Sequence, residues 1–316
     1  MRELTIGTQR VADTEPCYVV AELGGNHGGS VETALQMVRA AAAAGASAVK
    51  LQVRHNATLY APALLNAPYE NENSFGATYG AHRAALELSG ASLRAIRDTA
   101  LSDGITCFAT AFDEASVDDL RALGPPAFKI HSGGLTDEPL IRYVAASGVP
   151  VLLSTGGGTL ADIDRAVGWL GTCPHAILHC TASYPLKPEE ANLRVIGTLR
   201  QRYPETVIGW SSHHPGIALS LVAYALGARI IEHHFTLNRA SKGTDHGFSL
   251  EPKGLQTLCE DLEKTRLALG DGVKRYYLSE RGPIAKMRRR LTHDGPQITG
   301  VQDAINWCLR APRPHP

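Results

Sequence analysis

Two lysines sit inside otherwise apolar runs, Val49-Lys50-Leu51-Gln52 and Phe128-Lys129-Ile130-His131-Ser132. A buried ammonium is costly unless an anion meets it, so the pair suits a dianionic or trianionic ligand. Hydroxyl donors stand at comparable places, at Thr110, Ser132, Ser154 and Ser211. The run Gly156-Gly157-Gly158 opens a helix-like segment, where backbone N–H groups can approach an oxyanion. A phosphate together with a carboxylate fits this set. His213 and His234 could share one divalent ion, and two nitrogens with water and substrate oxygens suit Mn²⁺, Fe²⁺, Co²⁺ or Zn²⁺. Glu22 and Asp245 remain as carboxylates that could bind sugar hydroxyls or move protons. Taken singly, each has a plainer reading: a lysine that snorkels outward, a glycine turn, a hydrogen-bonded histidine, a turn aspartate.

These residues share one kind of place. Eight apolar runs of strand length recur: Tyr18–Leu23, Ala48–Val53, Thr106–Phe112, Ala127–His131, Val149–Ser154, Ala176–Cys180, Val207–Ser211 and Arg229–Phe235. They are continuous in hydrophobicity, as in a parallel sheet covered on both faces. Between them lie helix signals. Ser30 caps a segment carrying Leu35, Val38 and Ala42 and ending at Gly45; Thr159 and Asp162 form a capping-box start; Asn192 precedes Leu193, Ile196 and Leu199. Ile217 to Leu226 is apolar nearly all round and is expected to be buried, and Leu255, Leu258 and Leu262 mark a last helix. Eight strand–helix units in series predict an α/β fold, the (β/α)8 TIM barrel, whose functional groups gather at the C-terminal ends of the strands. Every one of the eight runs carries polar residues at or next to its end. Burying such groups without partners costs roughly 1–3 kcal/mol each, so a polar ligand is expected to meet them. His213 and His234 fall on adjacent strands and can converge, while His214 and His233 point the other way.

The bulk properties agree. The chain has 316 residues, enough for one large barrel, and its Lys+Arg and Asp+Glu are equal at 31 each, which gives no field for nucleic acid or a membrane surface. No apolar run is long enough to span a bilayer and the first residues are polar, so a cytoplasmic protein is expected. The six cysteines are scattered without a CxxC pair and read as reduced thiols.

A series of phrases, in order, resembles the N-acetylneuraminate (sialic acid) synthase family. They include Ala21-Glu22-Leu23-Gly24-Gly25-Asn26-His27-Gly28, Thr110-Ala111-Phe112-Asp113, Leu153-Ser154-Thr155-Gly156 and His179-Cys180-Thr181. Tyr184-Pro185, Ser211-Ser212-His213, Glu232-His233-His234-Phe235-Thr236-Leu237 and Gly243-Thr244-Asp245-His246 continue the match, which runs from about residue 15 to 270. The resemblance implies a barrel that condenses phosphoenolpyruvate with a sugar-like aldehyde, aided by a divalent metal, usually Mn²⁺, with Mg²⁺, Co²⁺ or Zn²⁺ as alternatives. By carry-over, Lys50, Thr110, Lys129, Ser132, Ser154 and Ser211 would bind phosphoenolpyruvate, and His213 and His234 would hold the metal. Gln52 and Asn26 would face the acceptor, with Glu22, Tyr184 and Asp245 as catalytic residues. Glu22 is expected to stabilise the cationic centre or position the attacking water.

Residues 1–275 are expected to form the barrel and residues 276–316 a linker, a basic helical run at Lys286–Arg290 and a Pro-rich disordered tail, too short for the family's C-terminal antifreeze-like domain. A homodimer is expected. Departures cluster on the acceptor side: the family's Thr-Pro-Phe is Thr110-Ala111-Phe112, its Ser-Asp-His is Ser211-Ser212-His213, and Ala182-Ser183 follows Thr181. They predict a retained reaction on a changed acceptor. The long segment Arg54–Ser89, with Tyr60, Tyr69, Asn71, Asn73, Tyr79 and His82, is expected to form a lid. The alternatives are another metal-dependent aldolase or 3-deoxy-sugar-acid synthase, and a non-catalytic binding homologue.

Overall fold

The structure is a computed structural model and describes residues 2–287. An N-terminal hairpin, β1 (Glu3–Ile6) and β2 (Gln9–Ala12), precedes eight parallel strands: β3 (Tyr18–Glu22), β4 (Ala48–Val53), β5 (Thr106–Ala111), β6 (Phe128–Ile130), β7 (Val151–Ser154), β8 (His175–Cys180), β9 (Val207–Ser212) and β10 (Ile230–His234). Each pairs with the next, and β10 closes on β3 to complete the barrel. All eight predicted strands are present, because an apolar run bounded by helix caps leaves a covered parallel sheet as its only economical home.

Side-chain alternation divides each strand between two environments. Outward residues such as Val19, Val49, Leu51, Leu153 and Ile231 pack under the helices. Inward residues near the strand starts, Tyr18, Val20, Ala48, Phe108, Leu152, Leu178 and Ile230, fill the barrel, and Leu4, Ile6 and Val11 of the hairpin cover that end. The hairpin was not foreseen, although Leu4 and Ile6 alternate with polar residues before Gly7, whose φ of 60° makes the turn. Inward residues near the strand ends are polar. The barrel is therefore apolar at its base and charged at its mouth.

The helices carry the predicted caps. Ser30 accepts from the Thr33 N–H, and Thr159 and Asp162 form a reciprocal capping box at the helix Leu160–Leu170. Leu255, Leu258 and Leu262 are the buried stripe of the helix Pro252–Leu269. One expectation fails. The segment Ile217–Leu226 forms a helix over Ala218–Ala225, but it buries only one face, leaving Val222 48% and Leu226 38% exposed. An outer helix of a barrel has one inner face, whatever its composition.

The segment between β4 and its helix folds as short helices at Asn56–Leu59, Pro62–Leu65 and Tyr79–Leu86. Edge-to-face ring contacts hold it together, Tyr60 to Tyr79 at 5.3 Å and Tyr69 to Tyr79 at 5.5 Å. Asn73 accepts from the Gly243 N–H at 3.0 Å, which joins this insertion to the loop after β10 beside the barrel mouth.

The chain divides into two compact units at Ala268. In the second, the described residues include a short turn at Leu278–Glu280 and a helix at Arg281–Met287. The basic run beyond Met287 and the Pro-rich tail lie outside the described residues. Among the described residues no helix is long and apolar enough to cross a membrane, and the cysteines there, all but Cys308, are free thiols.

Candidate active site

Strand register assembles the mouth. Glu22 lies level with both Lys50 and His234, Gln52 with Thr110, Thr110 with Lys129, and Ser211 with both Glu232 and Cys180. These inward positions line a cavity of about 50 Å³, bordered by Glu22, Lys50, Gln52, Thr110, Lys129, Ser132, Ser154, Tyr184, Ser211, His213 and His234. Asn26 and Asp245 border a smaller neighbouring space instead. Both Asn26 amide hydrogens are spent inside the protein, on Phe235 O at 2.8 Å and Ser249 Oγ at 2.9 Å, so Asn26 braces the loop after β3. Asp245 Oδ2 stands 3.7 Å from His234 Nδ1.

The two lysines are not free charges. Lys50 Nζ lies 2.8 Å from Glu22 Oε2 and donates to Thr110 Oγ1 at 3.0 Å. Lys129 Nζ donates to both oxygens of Glu232, at 2.8 and 3.0 Å, and Lys50 is 3.6 Å from the same carboxylate. Ser211 donates to Glu232 at 2.9 Å. Burial opposes ionisation of Glu232, but Lys129 and Lys50 outweigh it and hold the carboxyl well below the usual range. Burial likewise opposes the Lys50 ammonium, and Glu22 and Glu232 overcome it and raise that group. Lys129 is pulled down by burial, partly offset by Glu232. The mouth thus holds two positive and two negative groups in one buried network. Glu22 and Glu232 supply partners for the two lysines that the sequence does not pair, and a barrel interior would not tolerate such ammonium groups alone.

The oxyanion contacts differ in the same way. The Gly156 N–H donates to Ser132 Oγ at 3.0 Å rather than into open space. A Cβ at Gly156 would sit 2.7 Å from Ser132 Oγ, so only glycine allows this approach. Ser154 Oγ is buried and has no hydrogen-bond partner. A hydroxyl left in that condition is an open contact for a ligand.

On the other side of the cavity, His213 and His234 have ring centroids 5.4 Å apart. The His213 Nδ1 pairs with Thr181 O at 2.9 Å, so its Nε2 carries the lone pair. Burial first, and then His234, push the His213 imidazolium down to about 3, which keeps the ring neutral. His234 Nδ1 is buried without a hydrogen-bond partner. The pair could hold a metal. Tyr184, 57% exposed, lies over His213 with ring centroids 4.0 Å apart. His233 points away, between the carbonyls of His214 and Gly216.

The family model for NeuB matches residues 37–274. The chain belongs to the NeuB family. It is 37% identical over 267 residues to N-acetylneuraminate-9-phosphate synthase of Mus musculus, covering 84% of this chain and 74% of that one. With N,N'-diacetyllegionaminic acid synthase of Legionella pneumophila it shares 33% identity, covering 90% and 82%. The crystal structure of an N-acetylneuraminic acid synthetase from Leptospira borgpetersenii superposes with a TM-score of 0.77 at 34% identity, covering 90% and 96% of the two chains. These relatives are synthases of sialic-acid-type sugar acids, the family that the sequence resembles.

Three residues that line the NeuB mouth, Glu232, Phe112 and His131, and a fourth behind its wall, Arg54, carry no role in the sequence analysis. The signal was parity. Each lies two positions from a residue already assigned, His234, Thr110, Lys129 and Gln52, and strand neighbours at that spacing share a face. A larger space of about 330 Å³ opens at the opposite end, beneath the hairpin turn. Two of its polar side chains are satisfied internally, Thr106 Oγ1 by Ser47 O and Arg97 by Leu123 O, and it gathers no set of convergent charged groups like that of the mouth.

Proposed function

We propose that this NeuB-family enzyme condenses phosphoenolpyruvate with a sugar-like aldehyde, assisted by a divalent metal such as Mn²⁺, and releases phosphate by C–O cleavage. The observation that carries the reading is the buried network of Lys50, Lys129, Glu22 and Glu232, flanked by Thr110, Ser132, Ser211 and the unpartnered Ser154 hydroxyl. A small, highly charged acid suits it, with the lysines and hydroxyls taking up the phosphate and carboxylate.

The two imidazoles fit a divalent ion: His213 presents a neutral ring with Nε2 free, and the buried His234 Nδ1 lacks a partner. Two imidazoles would leave the ion's remaining positions to water and substrate oxygens. A cation there would supply Lewis-acid polarisation of the acceptor carbonyl.

The protein's own groups account for the rest. The mouth aligns C3 of phosphoenolpyruvate with the aldehyde carbon, and a carbon–carbon bond forms as the aldehyde oxygen gains a proton. Positive charge develops at C2, where Glu22, held by Lys50 and Gln52, is placed to stabilise it or to take a proton from the water that adds. The tetrahedral adduct then breaks its C2–O bond, phosphate leaves and a 2-keto acid remains. Asp245, beside His234, and Tyr184, over His213, would serve the acceptor. The departures at Ala111, Ala182, Ser183 and Ser212 support an acceptor different from N-acetylmannosamine.

Phosphate release with Mn²⁺, measured against N-acetylmannosamine, its 6-phosphate, pentoses, hexoses and nucleoside 5′-aldehydes, tests the proposal. Release that needs one acceptor and disappears in His213→Ala is expected; absence of phosphoenolpyruvate binding would overturn it.

A further inference from the structure

Arg54 touches none of the space the substrates would fill, yet it organises one wall of it. Its side chain is 6% exposed. On one side it donates from Nη2 to Gln52 Oε1. On its face it lies over the Phe112 ring, 4.1 Å from the centroid. Phe112 in turn stacks on His131 at 4.2 Å with the planes 24° apart. Gln52, Phe112 and His131 all line the cavity, and Arg54 does not.

The Gln52 contact has a consequence that geometry alone would leave open. A glutamine amide can face either way, and its neighbours choose. Here a guanidinium on one side demands the oxygen, which turns Nε2 toward Glu22 Oε1 at 2.7 Å. Without the cation, Glu22 alone holds the amide, whose oxygen loses its anchor and lets the side chain swing. Arg54 thus anchors the amide that donates to Glu22. It also fixes the aromatic wall, because a planar cation over one face of Phe112 leaves His131 as the partner on the other. Arg54 Nε, unpartnered by any hydrogen bond, stands 3.5 Å from Glu87 Oε1, at the end of the insertion helix Tyr79–Leu86. One side chain therefore links the insertion, the acceptor-facing amide and the aromatic wall.

We propose that Arg54 is a positioning residue for the acceptor: it orients Gln52 and presses Phe112 against His131, and so sets acceptor affinity without contributing to the phosphoenolpyruvate contacts. The inference rests on the proposed condensation. It requires that loss of Arg54 separates two quantities a merely structural role would move together. In Arg54→Met, the acceptor KM should rise roughly 10- to 100-fold, the range expected for losing one charge-assisted hydrogen bond. The phosphoenolpyruvate Kd should stay within about twofold, less than a weak hydrogen bond contributes. Arg54→Lys, which restores a donor to Gln52 but cannot stack as a plane, should recover part of the loss.

The double variant Arg54→Met, Glu87→Gln guards against misfolding from an unpaired Glu87 carboxylate and should show the same split. Unchanged acceptor KM, or a parallel rise in acceptor KM and phosphoenolpyruvate Kd, overturns the inference while the condensation itself stands. If the wild type turns over no acceptor, the proposed function fails separately. A crystal structure of Arg54→Met then decides the inference: Gln52 swung away from Glu22 supports it, and Gln52 still bonded to Glu22 overturns it.

Discussion

Glu232→Gln removes one negative charge from the centre of the barrel while keeping the shape of the side chain. In the wild type that carboxylate accepts two hydrogen bonds from Lys129, at 2.8 and 3.0 Å, and one from Ser211 at 2.9 Å, with Lys50 3.6 Å away. The amide can accept with only one end. Its NH₂ must face Lys129 or Ser211, and both lysines are left to share Glu22. Stripping one partner from a buried ion pair costs about 3–5 kcal/mol. In a domain of this size, each kcal/mol moves the melting temperature by about 2–4 °C, so the variant should melt roughly 6–20 °C lower. Scanning calorimetry reads this directly. The account adds a second signature: phosphoenolpyruvate or inorganic phosphate returns negative charge to the mouth, so either should raise the melting temperature of the variant more than that of the wild type. A variant that melts with the wild type, and gains no more from either anion, would refute the reasoning that the four charged groups form one balanced network.

Acid should destabilise the fold through buried histidines. Burial above all, aided by nearby Lys129 and Arg54 for His131 and by Arg54 for His27, pushes each down to about 4. Both folded values lie below the unfolded value of about 6.5, so stability is full above that pH and is lost as pH falls toward 4, by roughly 3 kcal/mol per histidine at most. Thermal melts should be flat near pH 7–8 and decline below about pH 6, less steeply in His131→Gln; a melting temperature independent of pH down to about 5 would contradict this. Ser154→Ala deletes a hydroxyl that has no partner in the protein, so melting should be unchanged while phosphoenolpyruvate Kd rises roughly tenfold or more; equal affinity by calorimetry would show that the hydroxyl meets no ligand. Gly156→Ala places a methyl 2.7 Å from Ser132 Oγ and 3.0 Å from Ala182 N, and should weaken phosphoenolpyruvate binding by displacing Ser132, whereas wild-type affinity would show that the cradle yields.

The barrel was legible because its signals are local and repeated: eight covered strands, each followed by a capped helix, admit few closures. The mouth was legible for a related reason. Register between parallel strands places strand-end residues side by side, so Lys50, Thr110, Lys129 and Ser211 had to converge. What escaped was the balance of charge. A strand-end lysine announces itself, but whether Glu22 or Glu232 answers it depends on a distance across the barrel. Strand parity extended from His234 to Glu232, and from Gln52 to Arg54, would have named both groups. The exposed face of the helix Ala218–Ala225 escaped because composition does not say how many sides of a helix are covered.

The most direct test of the central claim follows the bridging oxygen of phosphoenolpyruvate. Enzyme, Mn²⁺, the acceptor panel and phosphoenolpyruvate labelled with heavy oxygen between C2 and phosphorus are incubated, and the phosphate is analysed by mass spectrometry. The account predicts acceptor-dependent release of phosphate that carries the label, together with a 2-keto acid longer by three carbons than its acceptor. Phosphate released without the label would place cleavage at the P–O bond and contradict the proposed chemistry, and no release with any acceptor would contradict the function itself.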